Sequence, residues 1–550
     1  GLAKEEIEAL EAASVSGETF PAQAVAAALD IRVDRAEAVC GRMAGWNQFL
    51  TTGGTTRWPD GSEGQSYRFH HQVFRRILYD RISPARRQRL HLRLAQGLEA
   101  ANPELSGGAA AEISTHFERG AEIELAIRYL VLAAEGVRRR FADREAVAYL
   151  QRALDLLSSH PDTEDRKRRE LEIRRQLARA LVPAIAFSST EQRANAQRVL
   201  DLGRQLGDVE NQLLFLGYRL NWSIIRGQLD QVRKTAEQAM ELAEETADRV
   251  LAAHSPMIAG IEAVLSADHE RSENRFKQSL SILDGIDPRK PATVFPLNFE
   301  ILALSFSGWS AWLCGRPDEA RHRTGVARER AALVGSPFGI AVSLALSAVV
   351  EVFCRDRAKA GELGDALTAC LEEYGFSFPY PPLATARGWP LTEGGNFEAA
   401  AELLRETIRV CRSNEAFLAM SLPLATLAEV QLLQGAIEDG AETVNEAMAL
   451  VESIGERFWE AEIHRLRGEL HRAAGDDVAA GESFRRSLGV SRRQRALSLE
   501  LRGSMSLAKL LRDADQTKEA HALLSGVYDQ FKEGFDTADL KDAKALLESL

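Results

Sequence analysis

Apolar residues recur every three or four positions through most of the chain, the breaks between such stretches are very short, and strand-like alternation is nearly absent after residue 70. This pattern predicts helices joined by tight turns. One small position returns at a fixed interval: Ala320, Ala360, Ala400, Gly440, Ala480 and Ala520 follow one another forty residues apart. Five residues upstream of four of them stands a glycine, Gly315, Gly395, Gly435 and Gly475, in "GRPDEA", "GNFEAA", "GAIEDG" and "GDDVAA"; the other two copies read "RDRAKA" and "DQTKEA". Glycine there ends one helix in a left-handed turn, acidic residues favour the start of the next, and the small residue lets the paired helices approach closely. Each pair has an apolar face it cannot cover alone. Stacking covers it, which predicts a right-handed superhelix with a long concave groove able to take a protein or small-molecule effector.

Trp309 and Trp389 each lie six residues before their glycine, two periods apart, and read as repeated core residues rather than ligand stackers. A fainter copy, "GQLDQV", follows Trp222, and "ELAIRYLVLAAEGVRRRFADREAVAYLQRALDLL" supplies two further helices, so the array is expected from about Leu94 to Leu550. The spacing and the alanine-glycine grammar resemble tetratricopeptide repeats, in a version longer than the usual unit of about 34 residues. HEAT-type repeats compete on length alone; the short turns and the preceding tryptophan favour the tetratricopeptide form.

The first ninety residues follow another plan. "KEEIEALEAASVSG" predicts a helix ending at Gly17, "FPAQAVAAALDI" a second, and "DRAEAVCGRMAGWNQFL" a third capped by Asp34. "FLTTGGTTRWPDGSEGQSYRFH" then has the glycines, turn chemistry and flanking residues of a β-hairpin. Three helices and a hairpin describe a winged helix. The expected fold is therefore all-α: a winged-helix domain at 1–92 with a hairpin wing, and a tetratricopeptide-like α-solenoid at 93–550. DNA binding by the third helix is the obvious alternative function, but Asp34, Arg35, Glu37 and Arg42 cancel, where a phosphate-lined groove calls for a basic excess. A run of arginines from Arg75 to Arg93 reads either as a solvated helix face or as an interface for phosphate or an acidic partner domain.

Composition narrows the classes further. Charged residues are 27% and hydrophobic ones 45%, with a net charge of −12, so no generalised nucleic-acid affinity is expected. The five cysteines show no C-x-x-C pairing, which argues against a disulfide framework or zinc knuckle and fits a reducing cytoplasm. The most apolar stretch, "FGIAVSLALSAVVEVFC", is interrupted by Glu351 and predicts a buried helix rather than a membrane span. His464 and His471 share a helix face with Glu460 without forming H-E-x-x-H, and read as repeat surface. With no nucleophile elbow and no phosphate loop either, no catalytic residue, metal site or cofactor is predicted within this chain. The opening Gly-Leu-Ala-Lys suggests a segment of a longer polypeptide.

The candidate chemistry sits in "YRFHHQVFRRILYDRI", where adjacent histidines join the hairpin to an arginine-rich helix. Consecutive side chains diverge, which disfavours metal chelation by this pair. The run "ASVSGETF…AVAAAL…CGRMAGWNQFL…RWPDG…YRFHHQVFRRILYDRISPARRQRLHLRLAQGLEA" and the following "AAEISTHFERG…AIRYLVLAAEGVRRRFADREAVAYLQRALDLL" resemble bacterial STAND-class regulatory ATPases, and "GFDTADLKDAKALLESL" is similar to their natural carboxyl end. The resemblance implies an ATP- or ADP-binding AAA-like domain upstream of the winged helix, outside this chain, and an output domain such as a DNA-binding module or nucleotide cyclase, so that DNA is met only through an absent domain. It also implies that a histidine at this junction reaches the phosphates of bound ADP. Family sequences usually read aromatic, basic, His; matching that to "FHH" assigns the role to His71, with His70 standing where arginine is common, and makes Arg75 and Arg76 candidates for phosphate or interdomain contacts. Beside this stands the plain reading of a histidine packing at the hairpin exit. A switching regulator, a scaffold without switching and a DNA-binding regulator are the three functions the sequence admits.

Overall fold

The computed structural model describes residues 2–102, 107–184, 190–289, 298–375 and 380–550, and its contacts divide between two compact units, Gly1–Ala180 and Leu181–Leu550. The first holds α1 (Lys4–Ser16), β1 (Thr19–Pro21), α2 (Ala22–Leu29), α3 (Val33–Gly45), β2 (Leu50–Arg57), β3 (Glu63–Phe69), α4 (Gln72–Arg81), α5 (Pro84–Ala101), α6 (Gly107–Arg119), α7 (Ile123–Arg138) and α8 (Asp143–Ser158). Helix α9 (Glu164–Ala184) runs across the division.

Helix α1 stops at Gly17, as its sequence requires, and α2 begins directly after Pro21, which lies just outside the helix where its missing N–H costs nothing. The β2–β3 turn is closed by Trp58 and Ser62, with Asp60 accepting from the Ser62 N–H at 2.8 Å and Gly61 at φ +90°. Strand β1 adds an unforeseen third strand, pairing Phe20 with Tyr67, so that the antiparallel sheet runs β1-β3-β2. The first residue flanking α3 is Arg32, not Asp34, which lies inside the first turn and holds Arg32 at 2.9 Å. Phe20, Tyr67 and Phe69 from the sheet share one core with Leu10, Val25, Met43 and, from α5 to α7, Leu94, Phe117 and Tyr129. Residues 92 and 93, where the sequence places the domain boundary, lie within α5, Leu92 packed against this core and Arg93 exposed; the compact units divide between Ala180 and Leu181.

The second unit opens with α10 (Thr190–Leu206) and continues as helical hairpins: α11 (Val209–Ile225) with α12 (Leu229–Ala243), α13 (Arg249–Leu265) with α14 (His269–Leu283), α15 (Phe299–Leu313) with α16 (Pro317–Val334), and α17 (Pro337–Phe353) with α18 (Arg357–Tyr374). Next come α19 (Pro381–Gly388), extended by a 3-10 turn over Trp389–Gly394, with α20 (Phe397–Ser413), α21 (Ser421–Gln434) with α22 (Ile437–Ile454), α23 (Glu460–Ala473) with α24 (Asp477–Gln494), α25 (Leu497–Asp513) with α26 (Thr517–Tyr528), and a terminal α27 (Ala538–Ser549). The predicted small column is fully buried at Ala320, Ala360, Ala400, Ala480 and Ala520 and buried at Gly440, always the fourth residue of the second helix. It extends upstream to Ser272 and Val232, and the step from Ser272 to Ala320 is forty-eight residues, fifteen residues (284–298) separating α14 from α15 where five (244–248) separate α12 from α13. A second column, in the first helix, escaped the sequence pattern: Gly260, Gly308, Ala348, Gly388, Ala428, Gly468 and Ala508 are all buried. A Cβ on Gly260 would lie 2.6 Å from the Phe276 ring, and one on Gly388 2.8 Å from Leu404, so these glycines are set by helix contact. The hairpin turns put Gly227, Ala267, Gly315, Arg355, Gly395, Gly435, Gly475 and Asp515 at φ between +58° and +83°; Arg355 and Asp515 take the left-handed turn where "RDRAKA" and "DQTKEA" lack the glycine.

Hairpins four and five apart along the chain also touch. The Phe417 N–H donates to the Ile225 carbonyl at 2.6 Å, the Arg457 N–H to Leu265 at 2.6 Å, the Ser498 hydroxyl to Trp312, and the Arg502 guanidinium to Phe353 at 2.7 Å. Between them, Trp309 stacks on Phe458 at 6.0 Å and Phe353 on Trp459 at 4.7 Å. Trp309 and Trp389 are core residues, as read, and α17 is buried along nearly its whole length, Glu351 being paired with Arg321 at 2.9 Å. At one point among these contacts lies a cavity of about 20 Å³, lined by Arg355, Glu429, Glu462 and Arg502 among others. His464 and Glu460, expected on the surface, are buried. Among the described residues no helix is long and apolar enough to cross a membrane.

Candidate functional site

The hairpin delivers the histidine pair to the surface. Strand β3 ends at Phe69, buried in the core, and the His70 N–H donates to the Phe49 carbonyl at 2.9 Å, which fixes the exit of the chain. His71 then leaves extended geometry (φ −138°, ψ 139°) as the residue flanking α4, and its side chain caps nothing. The two rings meet edge to face at 4.8 Å, and the His71 ring also approaches Phe74 at 5.9 Å. Both histidines are exposed, and neither ring has a hydrogen-bond partner among the described residues. Their N–H groups stand beside the amino end of α4, where unpaired backbone donors and the helix dipole favour anions.

The arginines do not converge with them. Arg75 turns toward α1, its guanidinium 3.5 Å from the Ser14 carbonyl, while Arg76 extends into solvent 3.9 Å from Asp80. Glu18 holds Gln72 at 2.6 Å and approaches Arg68 at 3.7 Å, placing an acid beside the junction. Helix α4 contains no buried residue; Val73 is 63% and Ile77 50% exposed, one turn apart on the same face. On α3, Arg35 and Arg42 are both turned to Glu5 of α1, at 2.9 and 3.8 Å, so both are neutralised from a neighbouring helix rather than by Asp34 or Glu37.

Behind α4 lies a buried chain that no spacing rule pointed to. Tyr79 of α4 bonds His91 Nε2 at 3.0 Å, and His91 Nδ1 meets His116 Nδ1 at 2.9 Å, linking α4, α5 and α6. Burial first, and then the neighbouring His116, Arg119 and Arg87 charges, push the His91 pKa down to about 3; burial and Arg119 push His116 down to about 4. Both rings are therefore neutral, and two proton orders satisfy the chain: Tyr79 O–H to His91 Nε2 with His91 Nδ1–H to His116 Nδ1, or His116 Nδ1–H to His91 Nδ1 with His91 Nε2–H to the Tyr79 oxygen. No group of three or more metal-ligating side chains converges among the described residues.

No family model matches the chain. A protein of Rhizobium meliloti (strain 1021), itself uncharacterised, is 26% identical over 467 residues, 81% of this chain and 43% of its own length, so the chain spans under half of the curated relative it matches. Among solved structures, similarity extends to the anaphase-promoting-complex hetero-tetramer Cut9-Hcn1 (TM-score 0.41, 12% identity, 86% of this chain and 97% of that one). It extends also to a Rap protein complexed with competence and sporulation factor (TM-score 0.37, 11% identity, 78% and 99%) and to NprR with its cognate peptide NprX (TM-score 0.38, 14% identity, 56% and 89%).

Proposed function

We propose that this chain is the sensing and coupling part of a STAND-type signal-transduction regulator: the helical repeats receive an effector or protein partner, and the amino-terminal winged helix couples that event to a nucleotide-binding domain outside the chain. The observation that carries the reading is the junction at β3 and α4. Two exposed imidazoles without hydrogen-bond partners stand at a helix amino terminus, next to a helix with nothing buried and two uncovered aliphatic side chains. That arrangement suits contact with a phosphate-bearing neighbour. An imidazole N–H donated to a phosphate oxygen is worth about 1.5–3 kcal/mol, enough to tilt a balanced two-state equilibrium. His71 is the residue assigned to this contact, with His70 beside it; Arg76, in solvent, is better placed for an interdomain contact than Arg75, which is engaged with α1.

In the protein joined to its nucleotide-binding domain, His71→Ala is expected to speed ADP dissociation about tenfold, the equivalent of about 1.4 kcal/mol, and to raise basal output. An unchanged ADP off-rate removes the sensor role. The second reading, a partner-binding scaffold without switching, is favoured by the tetratricopeptide-like repeat fold itself. It requires partner affinity indifferent to whether ADP or ATP is bound, which the same preparation measures.

A further inference from the structure

One hairpin of the second unit departs from the repeat grammar. Along one face of α11, Phe215, Tyr218 and Trp222 follow at steps of three and four. The equivalent positions hold Ser255, Ile258 and Glu262 in the next hairpin and Ala303, Phe306 and Ser310 in the one after. The three aromatics are not required to close a helix contact, because they wall a cavity of about 340 Å³ against α10. That volume lies at the lower end of the range of small-molecule sites, about 300–1,000 Å³.

The charged groups lining this cavity are both basic, beside the neutral Gln192, Gln197 and Asn221. Arg193 of α10 is exposed and Arg219 of α11 half-buried, and neither forms an ion pair among the described residues. The Arg226 guanidinium, ion-paired with Glu415, lies 4.3 Å over the Trp222 ring. Two guanidiniums without ion-pair partners among the described residues, in a chain of net charge −12, mark a local anion-binding spot. Three aromatic walls ask for a flat or apolar body between them.

We infer that the cavity between α10 and α11 binds a small organic acid with an aromatic body, its ring against Phe215, Tyr218 and Trp222 and its carboxylate at Arg193 and Arg219. The inference rests on the proposed sensing role only for its consequence, since binding is measured on this chain alone and succeeds or fails independently of ADP retention in the His71 variant. The probe is indole-3-acetate, titrated by calorimetry and by ligand-observed NMR against its neutral twin indole-3-acetamide. Saturable binding of the acid at millimolar concentration or below is expected, with the amide at least tenfold weaker. Arg193→Gln and Arg219→Gln are each expected to weaken the acid about tenfold while leaving the amide and the melting temperature unchanged. Trp222→Leu should weaken both probes. Absence of saturable binding of the acid, equal affinity for acid and amide, or acid binding unmoved in the double arginine variant with an intact melt overturns the assignment.

Discussion

At the scale of single residues, the strongest pH sensitivity of the first unit lies in the neutral pair His91 and His116. Unfolded, each takes a proton near the ordinary imidazole value of about 6.5, whereas in the fold their values sit near 3 and 4. A group whose folded pKa is depressed contributes stability above its unfolded value and loses it as pH falls toward the folded one. The pair is thus fully stabilising above pH ~6.5 and weakens progressively down to pH ~4, by about 2 kcal/mol per histidine at pH ~5. Amide exchange in α5 and α6 should therefore accelerate between pH 7 and 5. A His91→Gln, His116→Gln double variant should flatten that slope whatever it does to stability at neutral pH. A slope that survives both substitutions assigns the sensitivity to other groups.

At the scale of elements, two columns of small residues decide how the helices of each hairpin meet, and glycines within them differ from glycines beside them. A Cβ on Gly468 of α23 would run into the fully buried Phe484 ring and lie 3.1 Å from the Ala480 carbonyl, so α24 would have to move. Gly489 of α24 has only the tip of Arg493, at 3.6 Å. Gly468→Ala is expected to cost about 1–3 kcal/mol through overpacking, and Gly489→Ala to add up to about 1 kcal/mol through helix propensity. Opposite shifts of the denaturant midpoint would show it, and shifts of equal sign would mean propensity alone governs both sites. The same contrast explains what was readable. The column from Ala320 to Ala520 keeps its forty-residue step and a nearby glycine, so it shows in one dimension. The column containing Gly468 alternates glycine with alanine inside continuous helices and shifts frame by eight residues before Gly308, and its partners, such as Phe484, lie on another helix. Arg355 and Asp515 hide two turns because the packing on either side holds them left-handed at a cost glycine would avoid. Strand β1 is three residues long, too short to show an alternation, and is defined by its partner Tyr67. The histidine junction was legible because it is contiguous; the cavity between α10 and α11 and the Tyr79–His91–His116 chain were not, since each is assembled from separate helices.

At the largest scale, the second unit differs from a one-dimensional stack, whose repeats touch only their neighbours and can open independently. Its chain closes on itself through groups far apart in sequence, and Arg502 ties most of them together. Its guanidinium donates to the Phe353 carbonyl at 2.7 Å and to Asp539 at 2.7 Å, approaches Glu462 at 3.5 Å, and lies 4.9 Å over the Trp312 ring. Glu462 is also held by Arg465 at 2.8 Å, and these arginine charges keep its carboxyl down at about 2 despite the burial that opposes them. Replacing Arg502 by methionine would leave the Phe353 carbonyl and the Asp539 carboxylate buried without their cation. Removing one partner of a buried pair costs about 3–5 kcal/mol, far more than the pair adds over an apolar substitute. The loss should also reach across the chain: amide protection is expected to fall in α15 and α17 together with α25 and α27, because the tie between hairpins four and five apart is cut. Arg409→Met, which breaks an exposed pair with Glu406, should change neither stability nor exchange measurably. If exchange in the Arg502→Met protein rises only in α24 to α27 and leaves α15 and α17 untouched, the unit behaves as a nearest-neighbour stack and the closure contributes no cooperativity.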